Sequence, residues 1–161
     1  MDWLCVHAPG FRELSNEERE AISHFSLLWS FFEAESLGTN ASAKAIISLT
    51  QDWASNGRLK LKPFEKSLAH FRARYFANGI PTEHLDSLAL RSNDSPDLVH
   101  SMLKGEALSA SDTVAALLIV VYRLRNNLFH GAKWAYGIRG QLGNFNHANA
   151  ALMAALETQG Y

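Results

Sequence analysis

The stretch that decides the fold is Thr113–Gly131, TVAALLIVVYRLRNNLFHG. Its unbroken apolar run, Val114–Tyr122, is rich in β-branched residues, but its length and its flanking caps favour a helix. Ser109 or Ser111 can cap the start of that helix, and the closing glycine is a usual stop signal. The sequence therefore predicts a buried helix from Thr113 to about Phe129. The apolar run is too short to span a bilayer.

Helical patterns continue on both sides of this segment. Ser15 and Glu18 have the spacing of a capping box, and apolar residues then recur at helical intervals until Gly38. Further helices are predicted from a cap at Asn40 to about Asn56, from Pro63 to about Asn78, from Asp94 to Lys104, and from Asn144 to Glu157 with Leu152, Met153 and Leu156 facing inward. No segment alternates in the manner of a strand, so we expect one domain, 1–161, folded as an all-α bundle of four to six helices.

The composition is that of a globular domain rather than a disordered chain. Of the 161 residues, 47% are hydrophobic and 19% are charged, which is enough apolar surface to form a core. The lone cysteine, Cys5, permits no intrachain disulfide and no cysteine-based metal cluster. The start of the chain, Met1–Leu4, lacks the pattern of a signal peptide. These features predict a cytoplasmic protein without a membrane anchor.

The net charge of −1 hides two positive segments. Thr113–Leu156 contains no Asp or Glu and carries four basic residues, and Arg58–Arg74 carries six basic residues against the single Glu65. Local fields rather than net charge attract phosphates, so these segments are compatible with nucleic-acid binding. Basic runs are also common on surfaces that bind nothing, and for Arg58–Arg74 both interpretations stay open.

Within the decisive stretch, Arg125 and His130 are separated by four residues. The bare spacing is weak evidence, since Arg19 and His24 share it within an acidic helix and are interpreted as structural. The context of Arg125 is more specific. Asn126 follows it directly, while His130 lies between an aromatic residue and a glycine at the end of a long apolar helix.

The segment Tyr122–Gly131 resembles the motif of the HEPN family, in which an arginine, a polar residue and a downstream histidine form the active site. Phe25–Glu33 is similar to the opening helix of stand-alone bacterial HEPN proteins. The resemblance implies a HEPN-like helical bundle and a ribonuclease of a toxin–antitoxin or antiviral system, restrained in many cases by an antitoxin or another partner protein. It also implies a homodimer in which two motifs form one composite site.

The residue types suit metal-independent RNA cleavage. His130 can act as base or acid near neutral pH, and Arg125 can hold a phosphate with its planar guanidinium. Asn126 can orient the histidine or the ribose. Attack of the 2′-hydroxyl on phosphorus would leave a 2′,3′-cyclic phosphate and a 5′-hydroxyl. On a straight helix, however, positions five apart lie roughly 140° apart, so Arg125 and His130 share no face unless the helix bends or ends between them.

Several other residues are candidates for substrate contacts. Arg123 lies seven residues before His130 and is an alternative phosphate ligand, and Glu33 is a candidate partner of the motif arginine or a surface ion-pair residue. Tyr122, Lys133 and Trp134 are candidates for the RNA path, with core packing or a solvated surface as the alternative. The remaining histidines have no metal-ligand spacing, so neither a metal nor a cofactor is expected.

Two other functions stay open. One is a HEPN-fold protein that binds RNA, a nucleotide or a partner protein without cutting. The other is a structural helical module, in which the basic residues, the histidine and Gly131 merely end a helix. The second alternative accounts for Arg125, His130 and Gly131 but leaves Asn126 and the missing carboxylates unexplained.

Overall fold

The computed structural model describes residues 3–131 and 137–161. Within these ranges the chain forms seven α-helices, short 3-10 turns and one small hairpin. The helices are α1 (Trp3–His7), α2 (Asn16–Leu37), α3 (Ala43–Ser55), α4 (Glu65–Tyr75), α5 (Pro96–Lys104), α6 (Ala110–Phe129) and α7 (Leu142–Gln159). The predicted all-α bundle is confirmed, with the five-residue α1 as one of the helices beyond the expected four to six. No described helix is long and apolar enough to cross a membrane.

Local capping sets most of the helix boundaries. Ser15 accepts a hydrogen bond from the Glu18 amide and the Glu18 side chain accepts one from Ser15, so the predicted capping box is present. At the other end of α2, Gly38 adopts a left-handed conformation that glycine tolerates readily. The start of α3 differs from prediction, because Ser42 rather than Asn40 caps the helix by accepting from the Ala45 amide.

Helix α6 lies at the centre of the bundle. Every side chain from Val114 to Val121 is fully buried, which explains the unbroken apolar run: the helix has neighbours on all sides. It packs most extensively on α3, and α2 packs most extensively on α7. The buried apolar residues form one continuous cluster, with large aromatic side chains from α2 and α4 at its centre.

Two further local features differ from the prediction. The Asn78–Gly79 pair does not simply stop α4: it forms the turn of a hairpin between β1 (Phe76–Ala77) and β2 (Ile80–Pro81). Both turn residues have positive φ angles, as the tight turns of two-residue hairpins require. The prediction that Met153 faces inward is wrong, since its side chain is exposed on α7, whose buried face carries Leu152 and Leu156 instead.

Candidate functional site

The candidate site lies at the carboxyl end of α6. The helix begins at its Ser109 cap, where the serine side chain accepts from the Asp112 amide, and continues to Phe129. His130 is the C-cap, and its amide still donates to the Asn126 carbonyl at 2.9 Å. Gly131 then has a φ of 75°, which ends the helix. The predicted end of this helix is thus confirmed, and Arg125, Asn126 and His130 all lie within its last two turns.

Arg123 is buried and forms an ion pair inside the bundle. Its Nη1 lies 3.3 Å from Asp94 Oδ2, with the two side chains 3% and 4% exposed. Its Nε donates to the Leu88 carbonyl at 3.2 Å. Asn127, one turn later, donates to the carbonyls of Ser87 and Leu88 at 3.0 and 3.2 Å. Arg123 therefore attaches α6 to the segment before α5, and this placement favours a structural role over phosphate binding.

We expect the substitution Arg123→Met to lower the free energy of unfolding by about 3–5 kcal/mol, because it leaves the Asp94 carboxylate buried without a counter-charge. The measurement is urea denaturation followed by circular dichroism. The double variant Arg123→Met/Asp94→Asn removes both charges and keeps an acceptor for the Arg91 amide, which donates to Asp94 at 2.8 Å. It should lose less stability than Arg123→Met alone. If the double variant lost as much stability as Arg123→Met and Asp94→Asn lose together, the two side chains would not be a coupled pair.

Arg125 lies on a different face of α6 and is 31% exposed. Its Nη1 donates to Asn126 Oδ1 at 2.9 Å, and its guanidinium lies 5.3 Å from the centre of the Phe129 ring. Its Nε is buried and has no hydrogen-bond partner. Asn126 is itself buried, so its contact with the arginine is shielded from water. The guanidinium is thus held by Asn126 and Phe129, and part of the side chain stays exposed to solvent.

Glu33 of α2 supplies the charge that faces Arg125. Its Oε2 lies 3.8 Å from Arg125 Nη2, and its side chain is 19% exposed, so the contact is a half-buried pair rather than a surface one. The carboxylate also accepts from the Trp29 indole at 3.0 Å and from the Ala41 amide at 3.3 Å. Glu33 therefore connects α2, the turn before α3 and the motif arginine.

His130 and Tyr122 have different surroundings in the structure. His130 is exposed at the helix end, and because helical hydrogen bonding persists to its amide, it does not converge with Arg125 through a bend in α6. Tyr122 is half-buried, with its ring 5.8 Å from that of Trp29, which is a packing contact. Lys133 and Trp134 lie outside the described residues.

The second Arg–His pair of the same spacing has contacts of a different kind. Arg19 donates to the Phe11 carbonyl at 3.2 Å and lies over the Phe11 ring, so it holds the amino-terminal segment against α2. His24 is exposed and lies 3.9 Å from Glu20 on the same helix. These contacts agree with the structural interpretation of Arg19.

Sequence reasoning missed Asp94 and the Leu88 carbonyl, which together hold Arg123. No local signal marks these partners, because they lie far from α6 along the chain. Within the two described ranges, no group of three or more His, Cys, Asp and Glu side chains is arranged to hold a metal ion. No family model, curated protein or solved structure matches the chain, so the HEPN assignment stays a prediction based on the motif.

The Glu33 contacts give a second stability prediction. The substitution Glu33→Gln should lower the free energy of unfolding by about 1 kcal/mol, because an amide oxygen replaces a carboxylate that accepts two hydrogen bonds beside a cation. The Trp29 indole proton should also shift in the NMR spectrum. Glu35→Gln, on the same helix but bonded to the Tyr161 hydroxyl, is the control and should leave the indole signal in place. An unchanged Trp29 signal in Glu33→Gln would refute this arrangement.

Proposed function

We propose that this protein is a metal-independent endoribonuclease of the HEPN type, with its active centre on Arg125, Asn126 and His130. One observation supports the proposal. The polar residues in the last two turns of α6 form two groups, one bonded inside the bundle and one facing solvent. Arg123 and Asn127 are bonded inside the bundle, whereas the Arg125 side chain is partly exposed, with Glu33 facing it, and His130 is exposed five residues later.

The proposed reaction uses only groups that the motif supplies. A neutral imidazole takes the proton of the 2′-hydroxyl while that oxygen forms a bond to the adjacent phosphorus. The bond from phosphorus to the 5′-oxygen breaks, and a protonated imidazole gives its proton to that oxygen. Arg125 neutralises the charge that accumulates on the phosphate, and Asn126 orients Arg125. The products are a 2′,3′-cyclic phosphate and a 5′-hydroxyl.

The same chemistry supports a homodimer. One His130 supplies one imidazole, whereas the transition state uses a base and an acid together. Arg125 and His130 also point in directions roughly 140° apart on the unbent helix end. Two α6 ends brought side by side would supply two histidines and two arginines around one phosphate. A two-fold symmetric arrangement does this with a single interface.

The biological setting belongs to the same proposal. The HEPN resemblance supports a toxin or antiviral defence role in the cytoplasm, with cellular RNA as the substrate and an antitoxin protein as a regulator. Tyr122, Lys133 and Arg123 were the candidate substrate contacts. Of these, Tyr122 is half-buried at the start of the motif and Arg123 is occupied by Asp94.

A second candidate function is RNA or nucleotide binding without cleavage. The observation that favours it is the occupation of Arg125 by Glu33 and Asn126, which lowers the positive charge available to a crowded phosphate in the transition state. Binding alone tolerates that loss better than catalysis does, since it needs only ground-state attraction. The two functions differ in whether His130 is required.

The test is incubation of the purified protein with RNA in EDTA, followed by analysis of the product ends. We expect cleavage with cyclic phosphate ends, and a loss of about 100-fold or more in His130→Ala, as general acid–base catalysis implies. His24→Ala removes another exposed histidine, from the second Arg–His pair, and is the matched control, with activity unchanged. Undiminished cleavage by His130→Ala would make the mechanism wrong, and RNA binding without cleavage by the wild type would favour the second function.

A further inference from the structure

Helix α4 carries a cationic face that the proposed active centre does not include. Lys66, His70 and Arg74 recur every four residues and therefore lie on one side of the helix. The positions between them on this side, Ala69 and Ala73, are small and exposed. From Lys66 to Arg74 the face covers nine residues and rises about 12 Å along the helix. We call Lys66, His70 and Arg74 the α4 cationic face.

Lys66 and Arg74 carry the fixed positive charge of this face. Within the part of the chain that the structure describes, neither Lys66 nor Arg74 forms an ion pair. Arg74 has a buried Nε without a hydrogen-bond partner. Burial raises the pKa of the neighbouring Tyr75 hydroxyl to about 12, although the charge of Arg74 and its hydrogen bond to that hydroxyl oppose the shift. By contrast Arg72, on the same helix, donates its Nε to the Met102 carbonyl and is structural.

A histidine of α7 adds to the same face. The His147 ring stacks on His70, with centroids 4.2 Å apart and an interplanar angle of 15°. His70 Nε2 lies 2.9 Å from Asn144 Oδ1, which fixes the ring. The pKa of His147 is lowered, first by burial and then by the positive charges of His70 and Lys66. The lowered pKa favours the neutral imidazole, so His147 adds a hydrogen-bonding ring beside the fixed charges of Lys66 and Arg74.

The face continues toward α6 through two adjoining clefts that share Arg74 and His84. One cleft, of about 690 Å³, is also lined by His70. The other, of about 550 Å³, is also lined by Arg139 and by Asn127 of the motif segment. Two carboxylates, Glu83 and Asp86, line these clefts, and Arg139 is paired with Glu13. The unbalanced positive charge is therefore concentrated at the α4 end.

We propose that the α4 cationic face, with His147, binds the phosphate backbone of the RNA strand and directs it through the two clefts toward the end of α6. The choice of RNA as the polyanion rests on the proposed ribonuclease function. The alanines between the cations offer no hydrogen-bonding group to a base, and Lys and Arg contacts to phosphate carry no sequence information, so we expect the contact to be independent of sequence and to position the strand. It is also strongly dependent on salt, because binding releases counterions.

The basic segment that contains this face supplies its own control. Arg58 and Lys60 carry the same charge but line a different cleft, between the end of α3 and the end of α7. The variants Lys66→Gln/Arg74→Gln and Arg58→Gln/Lys60→Gln therefore make the same change in net charge at two places. Both are compared by thermal unfolding before use. Lys66→Glu and Arg58→Glu, at exposed positions, form a second matched pair in case Arg74→Gln unfolds the protein.

The experiment measures binding of a fluorescein-labelled oligouridylate to the His130→Ala protein in EDTA, by anisotropy over a series of KCl concentrations. The Lys66/Arg74 variant should bind about tenfold more weakly, with a salt slope smaller by about 1.4, since each lost single-strand phosphate contact contributes about 0.7. The Arg58/Lys60 variant should keep most of the wild-type affinity and most of the wild-type salt slope. Equal losses in the two variants, no loss in either, or binding of polyglutamate in preference to the oligouridylate would overturn the proposal.

Failure of this proposal is distinguishable from failure of the ribonuclease proposal. Binding that requires the α4 cationic face, in a protein that does not cut RNA, supports the face and rejects the enzyme. Cleavage that requires His130, with unchanged binding in the Lys66/Arg74 variant, rejects the face and supports the enzyme.

Discussion

The buried ion pair between Arg123 and Asp94 fixes the end of α6 against the segment that leads into α5. The pair stands 3.3 Å apart, almost without access to water, and the Leu88 carbonyl takes a further bond from the arginine. A charge left alone at such a place is costly, so the two residues must remain together. The last turns of α6 are therefore held rigidly, and the backbone of Arg125 and His130 has a fixed position.

This constraint divides the motif segment into two faces. Arg123 and Asn127, four residues apart, point together into the bundle, while Arg125 and Phe129, also four apart, contact each other on another face. The first pair fixes the helix and the second presents a guanidinium outward. His130 then follows at the C-cap, exposed. General acid–base cleavage needs catalytic side chains held on a stable scaffold. The partly exposed Arg125 and the exposed His130 at the end of a fixed helix are the physical basis of the proposed function.

Local signals predicted much of this architecture, and non-local contacts explain most of what they missed. The Ser15 capping box and the glycine stops act within a few residues, so they could be recognised from the sequence. Arg123 could not be assigned to structure in the same way, because its partner Asp94 lies across the fold and belongs to a different segment. The prediction that Met153 faces inward is wrong, because the direction of the buried face depends on which helices pack against α7.

We propose that two copies of the α6 end form one active centre. The most direct measurement mixes trace wild-type protein with increasing His130→Ala protein under conditions that exchange subunits, and follows cleavage per wild-type chain. If both histidines of a pair are needed, random pairing at ninefold excess should lower that activity to about one tenth. An activity per wild-type chain that stays constant at every ratio, or full activity in a protein that sediments as a monomer, would contradict the composite site.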